Sequence, residues 1–132
     1  MRLLLIHSDY IEYEAKKKTK IAEECSVLSD RETEALTVFC AVESIDEEDL
    51  EGVILQAIEE IKTTAGQVHV DKIVVYPYAH LSSDLASPET AREAKIIPRA
   101  RSTITFIELL PACLQGISHQ DYFYQQIITR FP

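Results

Sequence analysis

Leu50, Val53, Ile54, Ala57, Ile58 and Ile61 recur at helical spacing and form one apolar stripe down one side of a helix. A helix apolar on one side only must bury that side against another layer. The chain offers short apolar runs that suit the other layer. Arg2–His7 carries Leu3-Leu4-Leu5-Ile6, unperiodic and too short for a helix, and reads as a buried central strand. Leu36–Val42 and Asp71–Tyr76 are further β-branched runs, the second ended by Pro77. The expected fold class is therefore α/β: a single domain with a mixed β-sheet and the helix Glu48–Ala65 packed across one face.

Local signals fill in the rest. Ser44 and Asp46 are candidate N-caps, Glu47, Glu48 and Asp49 suit the positive end of the helix, and Gly66 is the expected stop. Ser8-Asp9 predicts a turn, followed by a half-exposed strand over Tyr10–Glu14. Lys16–Glu34 is charge-dense and reads as a solvated connection. Ser87-Pro88-Glu89 opens a helix, with a Ser cap and Pro in the first turn. Past Ala91 the signals weaken: Thr103–Ile107 looks strand-like, and Tyr122 to Phe131 is apolar without a period. The element order over residues 2 to 95 is β-β-β-α-β-α.

With 132 residues, the chain has room for one such domain. No apolar run approaches bilayer length, and neither a membrane association nor a leader peptide is expected. Three cysteines without a CxxC spacing do not suit a disulfide scaffold or a zinc ribbon, so a reducing cytoplasm is expected. Residues 1–90 hold 19 acids and 8 bases, and residues 91–132 hold 3 and 5, giving −11 and +2 for a total of −9. That balance argues against a non-specific nucleic-acid coat, which needs clustered Lys and Arg. It leaves room for one nucleotide end held in a pocket. Four histidines and three cysteines show no metal-ligand spacing, and with three glycines and no GxGxxG or GxxxxGK[ST] a phosphate-cradling loop is excluded. No metal and no cofactor are expected.

Tyr76-Pro77-Tyr78-Ala79-His80-Leu81-Ser82-Ser83 is the segment most suited to chemistry. It lies at the carboxyl end of a buried strand, where α/β sheets commonly place ligands. His80 there has the means to hydrogen-bond a substrate or to act as acid or base near neutral pH. The plainer alternative is that His80 and Ser82 satisfy backbone groups in a tight turn. His7-Ser8-Asp9 invites a triad reading, which fails because consecutive strand residues point in different directions. Asp9 as a turn cap is the simpler account.

Met1 to Glu14, Val38 to Glu43, Ala57-Ile58-Glu59-Glu60-Ile61 and Ile73 to Ser83 resemble the N-terminal editing domain of archaeal threonyl-tRNA synthetases, over residues 1 to about 90. The resemblance implies a D-aminoacyl-tRNA deacylase-like fold and hydrolysis of serine wrongly attached to threonine-specific tRNA. Serine lacks one methyl of threonine, and one methyl is worth only ~1–3 kcal/mol in a binding pocket, so the synthetic site needs a second, smaller sieve. The family pattern makes Val42, Pro77, Ala79 and His80 substrate-binding and His80 catalytic. It assigns much of the hydrolysis to main-chain groups and the terminal ribose hydroxyl. Its partners are the 3′ end of threonine-specific tRNA carrying serine, the remainder of the synthetase and a second copy in a homodimer.

Beyond about residue 90 the resemblance stops. The family's PFG-x-Y-K-x-F motif, whose Lys contributes to hydrolysis, and its KGHP string are missing from residues 91–132. If Cys113–His119 were encoded TGT-TTA-CAA-GGC-ATT-TCA-CAT, a one-base shift would read Val-Tyr-Lys-Ala-Phe-His. An out-of-frame origin of the tail is the expectation that follows. Two alternatives to an editing hydrolase stand beside it: a module that binds the aminoacyl end without turnover, and a structural or dimerising domain.

Overall fold

The computed structural model describes residues 1–15, 29–94, 105–108 and 125–130. Five strands, β1 (Arg2–Ala15), β2 (Ser29–Ala41), β3 (Lys72–Pro77), β4 (Thr105–Glu108) and β5 (Gln125–Arg130), form one sheet in the order β4-β3-β2-β1-β5. β1 runs antiparallel to β2 and β5, whereas β2, β3 and β4 run parallel. The sheet is mixed, as expected. The parallel β2–β3 pair needs a crossover, and the amphipathic helix α1 (Leu50–Val68) supplies it.

The helix stripe lands where its spacing puts it. Ile54, Ala57, Ile58 and Ile61 are buried, and Leu36, Val38, Ile73 and Val75 from β2 and β3 meet them, with Leu3, Leu5 and Cys40 packed at the margin. Each fully buried Ile, Leu or Val contributes roughly 1.5–3 kcal/mol relative to exposure, so this interface fixes the β2–β3 register. That register sets Cys40 opposite Pro77 and brings the ends of both strands together.

Four expectations change. The helix does not stop at Gly66. Ala65 and Val68 continue the apolar stripe, and their packing outweighs the ~1 kcal/mol that a mid-helix glycine costs. The chain turns at His69 instead, in the left-handed region at φ 57°, and its N–H bonds the Ala65 carbonyl. At the other end neither Ser44 nor Asp46 caps α1. They lie in a 3-10 helix (Ser44–Glu48), and Asp49 accepts from the Gly52 N–H at 3.0 Å.

Ser8-Asp9 makes no turn. β1 passes straight through it, paired with β2 from Arg2↔Ala41 to Glu14↔Ser29 in one register. Opposite Asp9 in that register, Glu34 adopts a left-handed φ of 50°, which costs a non-glycine residue ~1–2 kcal/mol. Fully buried Ser8 and Thr37 hold the ladder with hydroxyls 3.1 Å apart. Residues Ser29–Glu34, expected in a solvated connection, form the far half of β2. Charged residues remain compatible with that strand: Arg31 sits 4.1 Å over the Tyr10 ring, and Lys72 pairs with Glu32 at 3.1 Å.

The helix start at Ser87 holds. Its Oγ accepts from the Thr90 N–H, and α2 (Pro88–Glu93) follows. Of the strand expected over Thr103–Ile107, Thr103 and Ile104 lie outside the described residues, and the rest belongs to β4 (Thr105–Glu108). Cys40 is half-buried, and Cys25, Cys113 and the Cys113–His119 segment lie outside the described residues. Among the described residues, no helix is long and apolar enough to cross a membrane.

Ile58 tests the helix–sheet interface. Replacing it with Asp puts an unpaired carboxylate among apolar side chains, and a loss of about 3 kcal/mol or more is expected in urea unfolding. An unchanged midpoint would mean that the stripe is not buried.

Candidate functional site

β2 and β3 end side by side, and the chain leaving β3 bends straight back over them. The Tyr78 N–H donates to the Cys40 carbonyl at 2.7 Å, and the Ala86 N–H donates to the Val42 carbonyl at 3.0 Å. Tyr78 to Ala86 is therefore a closed loop with both feet on the end of β2, two residues apart. A one-turn 3-10 helix (Ala79–Leu81) forms its ascending limb, with the Ser82 N–H returning to the Ala79 carbonyl. The descending limb pairs with the segment just beyond β2, through the Glu43↔Leu85 bridge and the Ser44 N–H on the Asp84 carbonyl at 3.2 Å.

All four sequence-derived site residues belong to this assembly. Pro77 is the last residue of β3, opposite Cys40. Val42 is the half-buried residue whose carbonyl holds the far foot of the loop. Ala79 and His80 lie in the 3-10 turn, Ala79 half-buried and His80 exposed. The His80 ring meets Tyr78 edge-on at 5.4 Å, and Tyr78 continues into Phe39 and Tyr76 at 5.7 and 6.2 Å. A ladder of rings thus backs the imidazole.

Sequence reasoning missed the polar frame around the loop. Ser82 Oγ donates to Glu43 Oε1 at 2.6 Å, and the same oxygen accepts from Arg2 Nε at 2.7 Å. Arg2 Nη1 reaches the Leu81 carbonyl at 3.4 Å. Ser82 Oγ also accepts the Asp84 N–H at 3.1 Å, so the turn-satisfying role considered for Ser82 is the one it plays. Buried Asp46 accepts the Glu43 N–H at 2.7 Å and pairs with the Met1 ammonium, which meets the demand that a buried charge be partnered. Arg2 and Glu43 are 41 residues apart, and no local pattern links them.

These contacts set the electrostatics. The Ser82 hydroxyl first, then the Arg2 guanidinium, hold the Glu43 carboxyl below its ordinary value of 4.5. Glu47 is likewise lowered, mainly by the Ser87 backbone N–H at 2.7 Å and then by the Thr90 hydroxyl at 3.1 Å. Glu47 thereby ties the start of α2 to the 3-10 helix before α1.

His7-Ser8-Asp9 lies within β1 rather than at its end. Ser8 is fully buried against Thr37, while His7 pairs with Leu36 on the face toward α1. The three side chains alternate across the sheet and form no relay.

The arrangement is a short loop, anchored at both feet, presenting an exposed imidazole at the carboxyl end of parallel strands. Residues 1–105 match the family model described as the archaea-specific editing domain of threonyl-tRNA synthetase. The chain belongs to that family. The match runs further than the roughly 90 residues over which the sequence resemblance was read. Similar proteins include the threonine–tRNA ligases of Methanoregula boonei, 84% identical over 91 residues, and Methanosphaerula palustris, 65% identical over 91 residues. That of a Methanococcus maripaludis strain is 61% identical over 93 residues. The alignments cover 69–70% of this chain and 15% of each ligase, so the editing-domain chain spans about 15% of the length of these relatives.

A carboxyl lowered in the folded state contributes stability that is present above its unfolded value and lost as pH falls through the folded one. The stability gap between the wild-type chain and Glu47→Gln is therefore expected at neutral pH and should close as pH drops below 4.5. Urea midpoints across an acid titration measure it. A gap that widens in acid would contradict the tether between Glu47 and Ser87.

Proposed function

We propose that this editing domain hydrolyses the ester linking serine to the 3′ end of threonine-specific tRNA, on a D-aminoacyl-tRNA deacylase-like fold. The observation that carries the reading is the closed Tyr78–Ala86 loop, which contains Ala79 and His80 and is hung from the Cys40 and Val42 carbonyls at the end of β2. In this reading Val42, Pro77 and Ala79 form the wall that leaves no room for threonine's extra methyl. His80 hydrogen-bonds the aminoacyl end and is the candidate to move a proton as water adds to the ester carbonyl. Main-chain groups of the loop and the terminal ribose hydroxyl complete the chemistry, releasing serine and free tRNA. The proposed partners are the charged tRNA end, the remainder of a threonyl-tRNA synthetase and a second copy of the domain.

The size argument also sets the required precision. One methyl separates the amino acids, so discrimination of ~1–3 kcal/mol depends on a wall that does not yield. A loop with both feet hydrogen-bonded to one strand end meets that need better than a free loop of the same length.

We further propose that the whole chain is one editing-type domain whose tail departs from the family and originates out of frame. A tail without the family's Lys would lack a cation to offset negative charge developing at the ester, a loss of typically 10²–10³ in rate, or about 2.7–4 kcal/mol. Arg2, the cation that reaches the loop at Leu81, already has its Nε on Glu43. A module that binds the aminoacyl end without turnover is the second reading this favours.

Serine release from charged tRNA separates the two. The 132-residue chain is expected to be slow or inactive, and a chain with the family's C-terminal motif restored is expected to be active. Ala79→Gly in the restored chain should begin to release threonine as well as serine. Full activity in the unaltered chain would contradict the role given to the missing Lys. No activity in either chain would contradict the hydrolase reading.

A further inference from the structure

The loop bearing His80 is held by backbone bonds at Tyr78, Asp84 and Ala86 and by the Ser44 hydroxyl on the Asp84 carboxylate at 2.6 Å, while the side-chain contacts next to His80 converge on a single atom. Glu43 Oε1 accepts from Ser82 Oγ at 2.6 Å and Arg2 Nε at 2.7 Å. Arg2, at the start of β1, reaches on to the Leu81 carbonyl at 3.4 Å. Glu43 is itself fixed from behind, because its N–H donates to buried Asp46 and its neighbour Val42 holds the Ala86 foot. The oxygen thus lies between the first strand, the end of the second and the residues immediately after His80.

We propose that Glu43 is the positioning residue of the editing loop: it sets where His80 stands by holding Ser82 and Arg2 on one carboxylate oxygen. This deepens the editing reading and rests on it for its catalytic meaning, but the positioning itself is measurable without tRNA. Nothing in the proposal requires Glu43 to touch the substrate. Its effect passes through Ser82 and Leu81, the two residues that follow the imidazole.

The geometry makes a specific demand on the side chain at position 43. What matters is an acceptor oxygen at that reach, able to take two donors. Gln offers such an oxygen at the same length and should substitute. Asp is one methylene shorter and should not, although it keeps the charge. A general need for negative charge at this place would reverse that order.

The experiment follows His80 directly. Its imidazole protons feel the Tyr78 ring at 5.4 Å, so their NMR shifts report loop position, and amide exchange at Leu81 and Ala86 reports loop opening. Glu43→Ala and Glu43→Asp are expected to move the His80 resonances and to speed exchange at Leu81 and Ala86 by about tenfold or more, with α1 and β3 amides unchanged. Glu43→Gln should keep the wild-type pattern. Ser82→Ala, which keeps the Arg2 and Asp46 contacts of Glu43 and gives up the Asp84 N–H bond as well, should move the His80 resonances in the same sense and serves where the Glu43 variants fold poorly. The double variant should fall short of the sum of the two single effects, because the Glu43–Ser82 bond is shared while Arg2 and the Asp84 N–H are partners of one residue each. Wild-type His80 shifts and exchange in Glu43→Ala or Ser82→Ala would overturn the proposal, as would a Gln variant that behaves like Ala while Asp is normal. In the motif-restored chain, Glu43→Ala should lower the maximal rate of serine release more than it weakens substrate binding. Inactivity of that restored parent chain would count against the editing reading, while the resonance and exchange results would still decide the role of Glu43.

Discussion

Two backbone hydrogen bonds, Tyr78 N–H to the Cys40 carbonyl and Ala86 N–H to the Val42 carbonyl, are the constraint on which the site depends. They turn a nine-residue excursion into an arch with both feet on one strand end. Their existence requires β2 and β3 to be parallel and in the Cys40↔Pro77 register. α1 supports that register by packing its stripe across both strands, against Leu36 and Val38 of β2 and Ile73 and Val75 of β3. An apolar helix face some distance from the loop thereby supports the strand ends from which the loop is hung.

The division of labour is physically sensible. Apolar burial supplies most of the stability but is non-directional, and it fixes layers and registers rather than the position of one imidazole. Hydrogen bonds add less net energy, but their geometry is strict. Here the directional contacts gather at the sheet end: the two loop feet, the Glu43↔Leu85 bridge, and the Arg2–Glu43–Ser82 set. The proposed sorting of two amino acids by one methyl would depend on that stiffness more than on depth.

What the sequence made legible was what is decided locally. The stripe from Leu50 to Ile61, the apolar runs of β2 and β3, and the Ser87-Pro88 helix start each depend on near neighbours, and each appears where its pattern puts it. The misreadings occur where distant pairing overrides a local preference. Ser8-Asp9 would turn in isolation, but β2 runs alongside it and the ladder continues. Ser29–Glu34 is too charged to look like a strand, yet it pairs with the far half of β1. Gly66 would end an unsupported helix, but Ala65 and Val68 still have an apolar surface to cover. The same rule applies to the site. Tyr76–Ser83 could be singled out because its residues are contiguous, while the Glu43–Ser82 contact joins residues 39 apart and leaves no trace in either neighbourhood.

The proposed role of the arch from Tyr78 to Ala86 is to select serine over threonine at the end of a tRNA. It is tested most directly by titrating the isotope-labelled chain with the stable amide analogues of seryl- and threonyl-adenosine and following backbone resonances. The account predicts that the seryl analogue shifts Val42, Ala79 and His80 together, and that the threonyl analogue does so only at much higher concentration. Equal affinity for both analogues, or shifts confined to residues away from the arch, would contradict it.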